Sequence, residues 1–430
     1  MSTPPSHVEP PLTGSADVPS DLPIPPVFGR LERRLVPLDE SAIDPDAART
    51  ARRLIRAGHE AYLVGGCVRD LLLGRLPKDF DVATSARPEE VRSIFRASRI
   101  IGRRFRLVHV LFPAGKIIEV ATFRRTPSAQ EGVSHEDDAD ELIIRSDNAF
   151  GTIEEDALRR DFTINALFYD IETREILDFA GGMRDIERRT VRTINDPVLR
   201  FREDPVRILR AIKFASKLDL GLHPDLVDAV ITTRDSLPLA SKMRLFEEVL
   251  RLLRGGAARR AIYLAWELGV LHILLPELAV MLDDIDGEDG IPVRIFRLFA
   301  ELDARTLERG EPPGDAALWT LLLLEPALEA CQGASDRLGA FMDFVEPVAT
   351  RLAVHRRIID AIRRIMAMLP KLWNGHIAKA ARSDVFAEAV AVAEISLAAR
   401  GEYEAAAQIR KAFLSTRRSR PSSERPNLVR

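Results

Sequence analysis

The sequence predicts an α+β protein, in which a small mixed β-sheet domain precedes an all-α region. Up to about residue 185, short apolar segments with the period of strands alternate with helical segments, as in a sheet covered by helices. From residue 186 onward, apolar residues recur at spacings of three and four, which is the helical pattern. The composition is that of a globular protein, with 46% hydrophobic, 30% charged and only 6% aromatic residues, and it favours an aliphatic, largely helical core.

The length of 430 residues predicts two to four domains. We expect a disordered Pro-rich arm (1–45), a sheet domain (46–185), a first helical domain (186–280), a helical body (281–415) and a basic disordered tail (416–430). No apolar run could span a bilayer and no secretion signal is visible, so we expect a cytoplasmic protein without membrane contact. The two cysteines are too few for a disulfide framework or a cysteine zinc site.

The elements of the sheet domain are expected to follow one another closely. Helices are predicted from Pro45 to about Gly58, over VRDLLLG with its end at Gly74, and over PEEVRSIF from Pro88. Strands are predicted at AYLV, DFDVAT (Asp79 to Thr84), LVHVLF, KIIEVATF and INALFYD. The segment from Arg124 to Asn148 has mixed charge and little periodicity, and we expect a mobile loop with a functional role.

The most informative segment is GGCVRDLLLGRLPKDFDVAT, which leads from a glycine turn to a strand with two carboxylates. Gly65 and Gly66 lack a Cβ, so the backbone can approach a ligand there, and the amides of the next helix favour a phosphate. We expect Arg69, one turn along, to reach the same anion. Asp79 and Asp81 are two apart on a strand, so their side chains face one side. They repel each other unless a cation lies between them, and Mg²⁺ binds such oxygens together with substrate phosphates.

Taken alone, an Asp-x-Asp pair is most often a solvated strand edge and a Gly-Gly pair is most often a turn. Together, these residues resemble the first motif of the polymerase-β-like nucleotidyltransferases, in the branch that contains bacterial poly(A) polymerases and CCA-adding tRNA nucleotidyltransferases. Four further motifs of that branch follow in order, up to residue 253. They are EEDALRRDFTINALFYD (Glu154 to Asp170), DFAGGMRDIERRTVR (Asp178 to Arg192), FREDPVRILRAIKFA (Phe201 to Ala215) and SKMRLFEEVLRLL (Ser241 to Leu253).

The resemblance implies that the sheet domain is a nucleotidyltransferase (palm) domain with Asp79 and Asp81 as metal ligands, two Mg²⁺ ions as cofactors and ATP as substrate. A third carboxylate normally completes such a site, and two candidates stay open. Glu119 lies on KIIEVATF, where a neighbouring strand could present it as a metal ligand. Asp161 has a catalytic role by resemblance to the RRD motif; otherwise it caps a helix or pairs with a neighbouring arginine.

The same resemblance assigns residues to the nucleotide and makes residues 186–280 a helical nucleotide-selecting neck and RNA-binding domain. Arg160 would bind the triphosphate, unless it is an ordinary surface ion pair. Asp204 and Arg207, three apart on a predicted helix, would read the base, unless they form a simple helix ion pair. Adenine and cytosine offer them an amine beside a ring nitrogen, whereas guanine and uracil offer the reverse. Arg210, one turn further, could reach phosphate.

Several other groups are expected to be structural. Asp178, Gly182, Asp185 and Arg192 are expected at the hinge between the sheet and the helices, and Glu247 and Glu248 should brace a neighbouring helix. The acidic segment from Asp283 to Gly290 lacks the glycine position of a calcium loop, and we interpret it, like Glu136 to Glu141, as a solvated turn.

The base-reading pair does not separate adenine from cytosine, so other features must distinguish the two activities of this branch. The segment from Ile100 to Phe112, IIGRRFRLVHVLF, resembles the bacterial poly(A) polymerases, and no His-Asp dipeptide marks a fused phosphohydrolase. The basic C-terminal tail also resembles these enzymes and would suit non-specific RNA binding. A second basic cluster could line a positive groove for a polyanion, unless its members lie on solvated helix faces; it consists of Arg96, Arg99, Arg103, Arg104 and Arg106.

We therefore expect a poly(A) polymerase that adds AMP from ATP to RNA 3′ ends with release of pyrophosphate, in RNA processing and decay. The RNA 3′ end and ATP are the expected partners, and the sequence names no protein partner. Three alternatives stay open: a CCA-adding tRNA nucleotidyltransferase, an RNA-binding protein with an inactive transferase domain, and a small-molecule nucleotidyltransferase.

Overall fold

The structure, a computed structural model, describes residues 28–36, 38–102, 106–126, 149–284, 290–376 and 383–418. Several predicted features lie wholly or partly outside these residues. They are the start of the Pro-rich arm, Arg103 and Arg104, most of the loop from Arg124 to Asn148 with its acidic run, the acidic turn after Asp284 and most of the basic tail.

Ten strands are present in the described residues. They are β1 (Glu32–Leu35), β2 (Ala61–Val64), β3 (Asp81–Thr84), β4 (Ser98–Ile101), β5 (Leu107–Leu111), β6 (Ile117–Thr122), β7 (Leu167–Asp170), β8 (Glu175–Asp178), β9 (Thr190–Val191) and β10 (Gly221–Leu222). The first eight form one mixed sheet in the order β1-β8-β7-β2-β3-β6-β5-β4, and β9 pairs with β10. Within the large sheet, β3 and β6 are parallel and the other neighbours are antiparallel.

Eighteen α-helices are present in the same residues. They are α1 (Pro45–Arg56), α2 (Gly66–Leu72), α3 (Pro88–Ile94), α4 (Ile153–Leu158), α5 (Gly182–Glu187), α6 (Pro197–Glu203), α7 (Val206–Leu218), α8 (Pro224–Thr233), α9 (Lys242–Leu253), α10 (Ala258–Glu267), α11 (Val270–Leu274), α12 (Pro276–Asp283), α13 (Ile291–Arg309), α14 (Asp315–Ala330), α15 (Arg337–Leu352), α16 (Arg356–Trp373), α17 (Phe386–Ala399) and α18 (Tyr403–Arg418).

The two faces of the large sheet are covered differently. Because side chains alternate along a strand, Leu63, Val82 and Ile118 all point to one face, where α1 and α3 bury them. On the opposite face, Phe123 and Phe168 form an apolar cluster with residues of α4. Beyond that cluster, the same face of β6 and β5 carries Glu119 and His109 between aliphatic side chains, and it is partly exposed.

The helical region is held together by continuous apolar packing. Helix α7 contacts both α9 and α10 and buries Ile208, Leu209 and Ile212. Trp319 of α14 is fully buried and stacks on Phe246 of α9, with 5.5 Å between the ring centroids. The stack links the helices that follow the sheet to the body formed by α13 to α18.

The predicted fold class is confirmed, since a mixed sheet with helices precedes an almost wholly helical region. Helix α1 begins as its sequence predicts, because Asp44 accepts hydrogen bonds from the amides of Asp46 and Ala47 and Pro45 occupies the first turn. The domain boundaries stay predictions. No helix among the described residues is both long and apolar enough to cross a membrane.

Three strands of the large sheet were not predicted. One of them, β1, lies within the arm that the sequence predicts to be disordered, and it pairs with β8 at the edge of the sheet. That prediction is wrong for Glu32–Leu35. The other two, β4 and β8, are only four residues long and gave no clear period. The predicted strand Asp79–Thr84 begins two residues later, at Asp81.

Candidate active site at the open face of the sheet

Strand register brings three polar side chains together on the open face. Asp81 of β3 is the direct partner of Glu119 of β6, and Glu119 is the direct partner of His109 of β5. Directly paired residues project to the same face of a sheet, so these three form a row, called here the site row. His109 Nε2 lies 3.2 Å from Glu119 Oε1. The structure thus places Glu119 beside Asp81, as one of the two third-carboxylate hypotheses requires.

Asp81 carries its charge in an unfavourable place. Burial, and then repulsion by Glu119 and Asp79, raise the pKa of Asp81 to about 6, although the positive charge of Arg160 acts in the opposite direction. Asp79 precedes the strand and is exposed. The two predicted metal ligands therefore influence each other electrostatically, one partly buried in the site row and one beside it in solvent.

These groups fit a divalent cation of the Mg²⁺ type. All three carboxylates offer hard oxygen donors, and a cation between them would relieve the repulsion that acts on Asp81. Within the described parts of the chain, no three His, Cys, Asp or Glu side chains are gathered closely enough to hold an ion unaided. Mg²⁺ usually takes only one or two protein carboxylates together with substrate phosphates and water, which suits such an open arrangement.

Asp161, the rival third carboxylate, is fully engaged elsewhere. Its Oδ1 accepts from the Phe162 amide at 2.9 Å and from Asn165 Nδ2 at 3.1 Å, and its Oδ2 accepts from Nε of Arg210 at 2.9 Å and from Nη2 of the same residue. Burial alone would raise the pKa of Asp161, but the charge of Arg210 and these hydrogen bonds hold it below its usual value. A direct catalytic role for Asp161 stays a prediction; its observed contacts are those of a residue that ties the sheet domain to α7.

Asn165 connects several of the predicted residues and was not singled out from the sequence. Its Oδ1 accepts from Arg69 Nη1 at 2.7 Å, its Nδ2 donates to Asp161, and its backbone carbonyl accepts from Arg160 Nη1 at 3.3 Å. An amide both donates and accepts, which a carboxylate or an aliphatic side chain cannot do. The available signal was its position, four residues after Asp161 in the second motif.

The glycine turn at Gly65 is packed against Arg160. Gly65 has φ +74° and ψ −123°, a conformation that is essentially restricted to glycine. A Cβ at Gly65 would lie 3.2 Å from Arg160 Nη1 and 3.6 Å from the Asn165 carbonyl oxygen. Arg160 also donates to Asp156 Oδ2 at 2.8 and 3.2 Å. Its positive charge acts to lower the pKa of Asp81. Arg160 therefore lies between the turn and the site row.

Arg69 is nearly buried and has several protein partners. Its side chain is only 7% exposed, and its guanidinium donates to Asp70 at 2.6 and 2.8 Å as well as to Asn165. It also lies over the ring of Phe214, 5.1 Å from the centroid. Arg69 thus contacts neighbouring side chains of α2 and α7, and its role at an anion stays a prediction. Gly66 is close to it, since a Cβ there would lie 3.6 Å from Arg69 Nη2.

Asp204 and Arg207 do not share one helix, so that prediction is wrong. Asp204 follows α6 with extended backbone, and α7 begins only after Pro205. The two side chains are nevertheless neighbours, with 4.0 Å between Arg207 Nε and Asp204 Oδ2. Arg244 of α9 donates to both Asp204 oxygens, at 2.9 and 2.7 Å, and Arg207 Nη1 donates to the Arg200 carbonyl and to Glu203. Arg244 was not predicted from the sequence, because the partner of an arginine cannot be inferred from spacing.

A chain of buried charges runs behind the predicted base-reading pair. Arg210, whose predicted contact with phosphate stays a prediction, joins Asp161 to Glu248, whose Oε1 lies 3.7 Å from Arg210 Nη1. Glu248 also accepts from Lys213 at 3.1 Å and from Arg251 at 2.8 Å. Burial lowers the pKa of Lys213 to about 8, although Glu248 opposes that shift. The predicted bracing role of Glu248 is thus supported by direct contacts between α7 and α9.

The expected hinge residues hold the turn between β8 and α5. Asp178 accepts four backbone hydrogen bonds, at 2.8 to 3.1 Å, from the amides of residues 180 to 183. Asp185 bonds with Arg192 and accepts from Thr163 Oγ1 at 2.6 Å. A Cβ at Gly182 would lie 2.3 Å from the Thr163 carbonyl oxygen, so no larger residue fits there.

Comparison with known proteins places this site in a family. The profile described as "Poly A polymerase head domain" matches residues 61–192, and that described as "Probable RNA and SrmB- binding site of polymerase A" matches residues 219–282. Poly(A) polymerase I of Salmonella typhimurium is 37% identical over 347 residues, which are 77% of this chain and 74% of that protein. The chain belongs to the poly(A) polymerase family.

CCA-adding enzymes are also similar to this member of the poly(A) polymerase family. One from Geobacillus thermodenitrificans is 41% identical over 228 residues, 53% of this chain and 54% of that protein. The crystal structure of the Bacillus stearothermophilus CCA-adding enzyme in complex with CTP has a TM-score of 0.61 and 27% identity, over 87% of this chain and 83% of that one. The predicted family resemblance is therefore confirmed, and the site row lies within the matched head domain.

Proposed function

We propose that this chain transfers AMP from ATP to RNA 3′ ends at the site row, releasing pyrophosphate. As a member of the poly(A) polymerase family it is a polynucleotide adenylyltransferase that uses ATP and the RNA 3′ end. The observation that carries the assignment to these residues is the register of Asp81 beside Glu119, with the pKa of Asp81 raised to about 6. A carboxylate pair under such repulsion is suited to a divalent cation.

Asp79, Asp81 and Glu119 are the proposed ligands for two Mg²⁺ ions. When bound, two such ions stabilise the attacking and leaving oxygens of a displacement at phosphorus. Arg160, between the Gly65 turn and Asp81, is the proposed ligand of the triphosphate, since a guanidinium can donate two parallel hydrogen bonds to phosphate. The RNA 3′-hydroxyl loses its proton to water as its oxygen attacks the α-phosphorus. The bond between the α-phosphorus and the oxygen that bridges it to the β-phosphorus breaks, so pyrophosphate leaves and the AMP stays on the RNA.

Asp204 and Arg207 are proposed to read the adenine. Each Asp204 oxygen retains a lone pair beyond its bond to Arg244, and the Nε of Arg207 lies beside that carboxylate. Asp204 can thus accept from the exocyclic amine while Arg207 donates to the adjacent ring nitrogen. Glu203 of α6 bonds with Arg207, and Arg244 of α9 bonds with Asp204, so α6 and α9 position the two base-reading side chains. Arg210 and Glu248 join α7 to α9.

RNA is proposed to approach over the basic edge of the sheet. Arg99 of β4 is the register partner of His109 and therefore extends the site row to that edge, where it is exposed. Arg96 is exposed close by, just before β4. A further exposed basic pair, Arg356 and Arg357, begins α16 in the helical body. Contacts of this kind bind phosphate without regard to sequence, as addition to many RNAs requires.

The experiment that tests this function is primer extension with purified protein, Mg²⁺ and single nucleotides. The acceptors are an unstructured RNA and a tRNA that lacks its 3′ end. Long ladders with ATP alone on the unstructured RNA are expected. Addition of two C residues and one A to the tRNA, without ladders on the other RNA, would instead make the chain a CCA-adding enzyme.

The matched variants are Asp79→Ala and Asp228→Ala. Both aspartates are exposed, so neither substitution should disturb the fold. Asp79→Ala should abolish the ladder, whereas Asp228→Ala, on α8 in the helical region, should leave it unchanged. A full ladder from the Asp79 variant would contradict the assignment of the metal ligands, and labelled AMP on a small acceptor would indicate a different transferase.

A further inference from the structure

We propose that His109 is a positioning residue that holds Glu119 in place for a metal ion, by donating a hydrogen bond from Nε2 to one carboxylate oxygen. The inference rests on the proposed function, in which Glu119 is a metal ligand. It concerns a side chain that neither the sequence motifs nor the chemistry of the reaction requires.

The geometry joins the two residues directly. His109 and Glu119 are cross-strand partners in the antiparallel β5–β6 pair, and 3.2 Å separates His109 Nε2 from Glu119 Oε1. The neighbours of His109 along β5, Val108 and Val110, are 1% and 3% exposed on the opposite face. Because those two valines fix the strand against the core, the histidine cannot turn away from the open face without disrupting it.

The exposed fractions of the two side chains indicate that Glu119 is the partner whose conformation has to be held. The Glu119 side chain is 51% exposed, whereas that of His109 is 20% exposed. A glutamate with half of its side chain in solvent samples many rotamers, and the cost of ordering it would weaken metal binding. One hydrogen bond from a less mobile ring removes part of that freedom. Oε2 of Glu119 then stays available to a metal ion that is shared with Asp81 of the neighbouring strand β3.

Residues that orient a metal ligand typically change metal affinity by about 10- to 100-fold when they are removed. Because Glu119 is one of several proposed ligands, we expect the lower end of that range. A second expectation follows from the direction of the effect. His109 acts only through Glu119, so its removal should cost little once Glu119 can no longer bind metal as a carboxylate.

The test measures Mn²⁺ binding to the full-length protein by electron paramagnetic resonance, with an ATP analogue whose α–β bridge is a methylene group. No turnover is needed, so binding is separated from catalysis. The variants are His109→Phe, which keeps a ring without a donor, His109→Gln, whose amide nitrogen can occupy the position of Nε2, and Glu119→Gln. The double variant His109→Phe with Glu119→Gln completes a cycle, and far-UV circular dichroism confirms that each protein is folded.

We expect His109→Phe to weaken Mn²⁺ binding about tenfold, with His109→Gln close to the wild type. The double variant should match Glu119→Gln alone. If His109→Phe does not fold, a loss in His109→Asn, whose shorter amide cannot reach Glu119, carries the same meaning.

The two ideas can fail separately. Unchanged Mn²⁺ binding in Glu119→Gln would overturn the proposed metal role of Glu119. Weaker binding in Glu119→Gln but not in either His109→Phe or His109→Asn would leave that role intact and overturn the present inference. Additive losses in the double variant would also overturn it, because His109 would then act independently of Glu119.

Discussion

At the scale of single residues, Asp81 links stability to pH. Its pKa is raised to about 6 in the folded chain, so in the metal-free protein the unfolded state holds its proton less tightly. A group with a raised folded pKa stabilises the protein below its unfolded pKa, and this contribution is lost as pH rises through about 6. A charged Asp81 therefore destabilises the metal-free fold at neutral pH, by a free energy on the order of 2 kcal/mol.

The variant Asp81→Asn should accordingly be inactive yet more resistant to heat. In EDTA at pH 8 we expect its melting temperature to exceed that of the wild type by several degrees, and the difference to shrink towards pH 4. Differential scanning calorimetry at both pH values measures it. A melting temperature for Asp81→Asn below the wild type at pH 8 would contradict the electrostatic argument.

Gly65 offers a second prediction at this scale. Alanine at this position must adopt φ +74° and ψ −123°, and its Cβ would press on Arg160. We expect a loss of about 1–3 kcal/mol in unfolding free energy and a raised KM for ATP, because Arg160 must shift. Urea denaturation and steady-state kinetics measure the two effects. The control is Gly58→Ala, which has φ +90° but no atom within 4 Å of its Cβ, so it should lose stability without a change in KM.

At the scale of elements, the adjacent glutamates of α9 make a matched pair. Glu248 is 5% exposed and neutralises Lys213 and Arg251, with Arg210 close by. Removing one partner of a buried charge network costs about 3 kcal/mol, so Glu248→Gln should lower the melting temperature and loosen α7. Glu247 has 40% of its side chain exposed, and Glu247→Gln should cost less than about 1 kcal/mol. Equal losses in the two variants would mean that burial of Glu248 is not decisive.

The strands of the sheet show which features the sequence predicts correctly. The period of two correctly placed Asp81 and Glu119 on strands with their polar side chains opposite the buried valines, because alternation is a local property. That β3 and β6 lie side by side and in parallel is not local. The short polar strand β1, with the sequence ERRL, pairs with β8 because the edge of that strand is available. Four exposed residues carry no apolar period from which this pairing could be predicted.

In the candidate site, the side-chain partners of the arginines are what the sequence does not predict. Arg69 and Arg210 are predicted at phosphate, and the structure adds carboxylate and amide partners that the sequence did not indicate. An arginine presents five donors on a long side chain, so its partner depends on packing between distant elements rather than on spacing. For the same reason the contact of Arg244 with Asp204 became visible only in the structure.

At the scale of the whole molecule, we expect both the folded surface and the C-terminal tail to bind RNA. Deleting residues 419–430 removes three arginines and one glutamate, a net side-chain charge of +2 because 3 − 1 = 2. We expect a several-fold higher KM for RNA at an unchanged kcat, and a salt dependence of binding that is shallower by about one to two phosphate contacts. Filter binding over a range of KCl concentrations measures it.

The contacts of α18 provide the control for that deletion. Tyr403 and Arg410 bond with Glu301 and Glu308 of α13, and both contacts lie before the truncation point. The melting temperature should therefore be unchanged. A salt dependence identical to that of the full chain would assign the RNA contacts to the folded surface, such as Arg99 and the start of α16.

The parallel pairing of β3 with β6 also has a consequence for how the protein acquires activity. Glu119 is ten residues from His109 but 38 residues from Asp81, since 119 − 81 = 38. A hairpin such as β5–β6 closes within microseconds, whereas a parallel pair must wait until the intervening chain has crossed over. In a refolding experiment, much of the native circular dichroism should thus return before the capacity to bind Mn²⁺ does, so that Mn²⁺ binding reports a step of sheet assembly later than the β5–β6 hairpin.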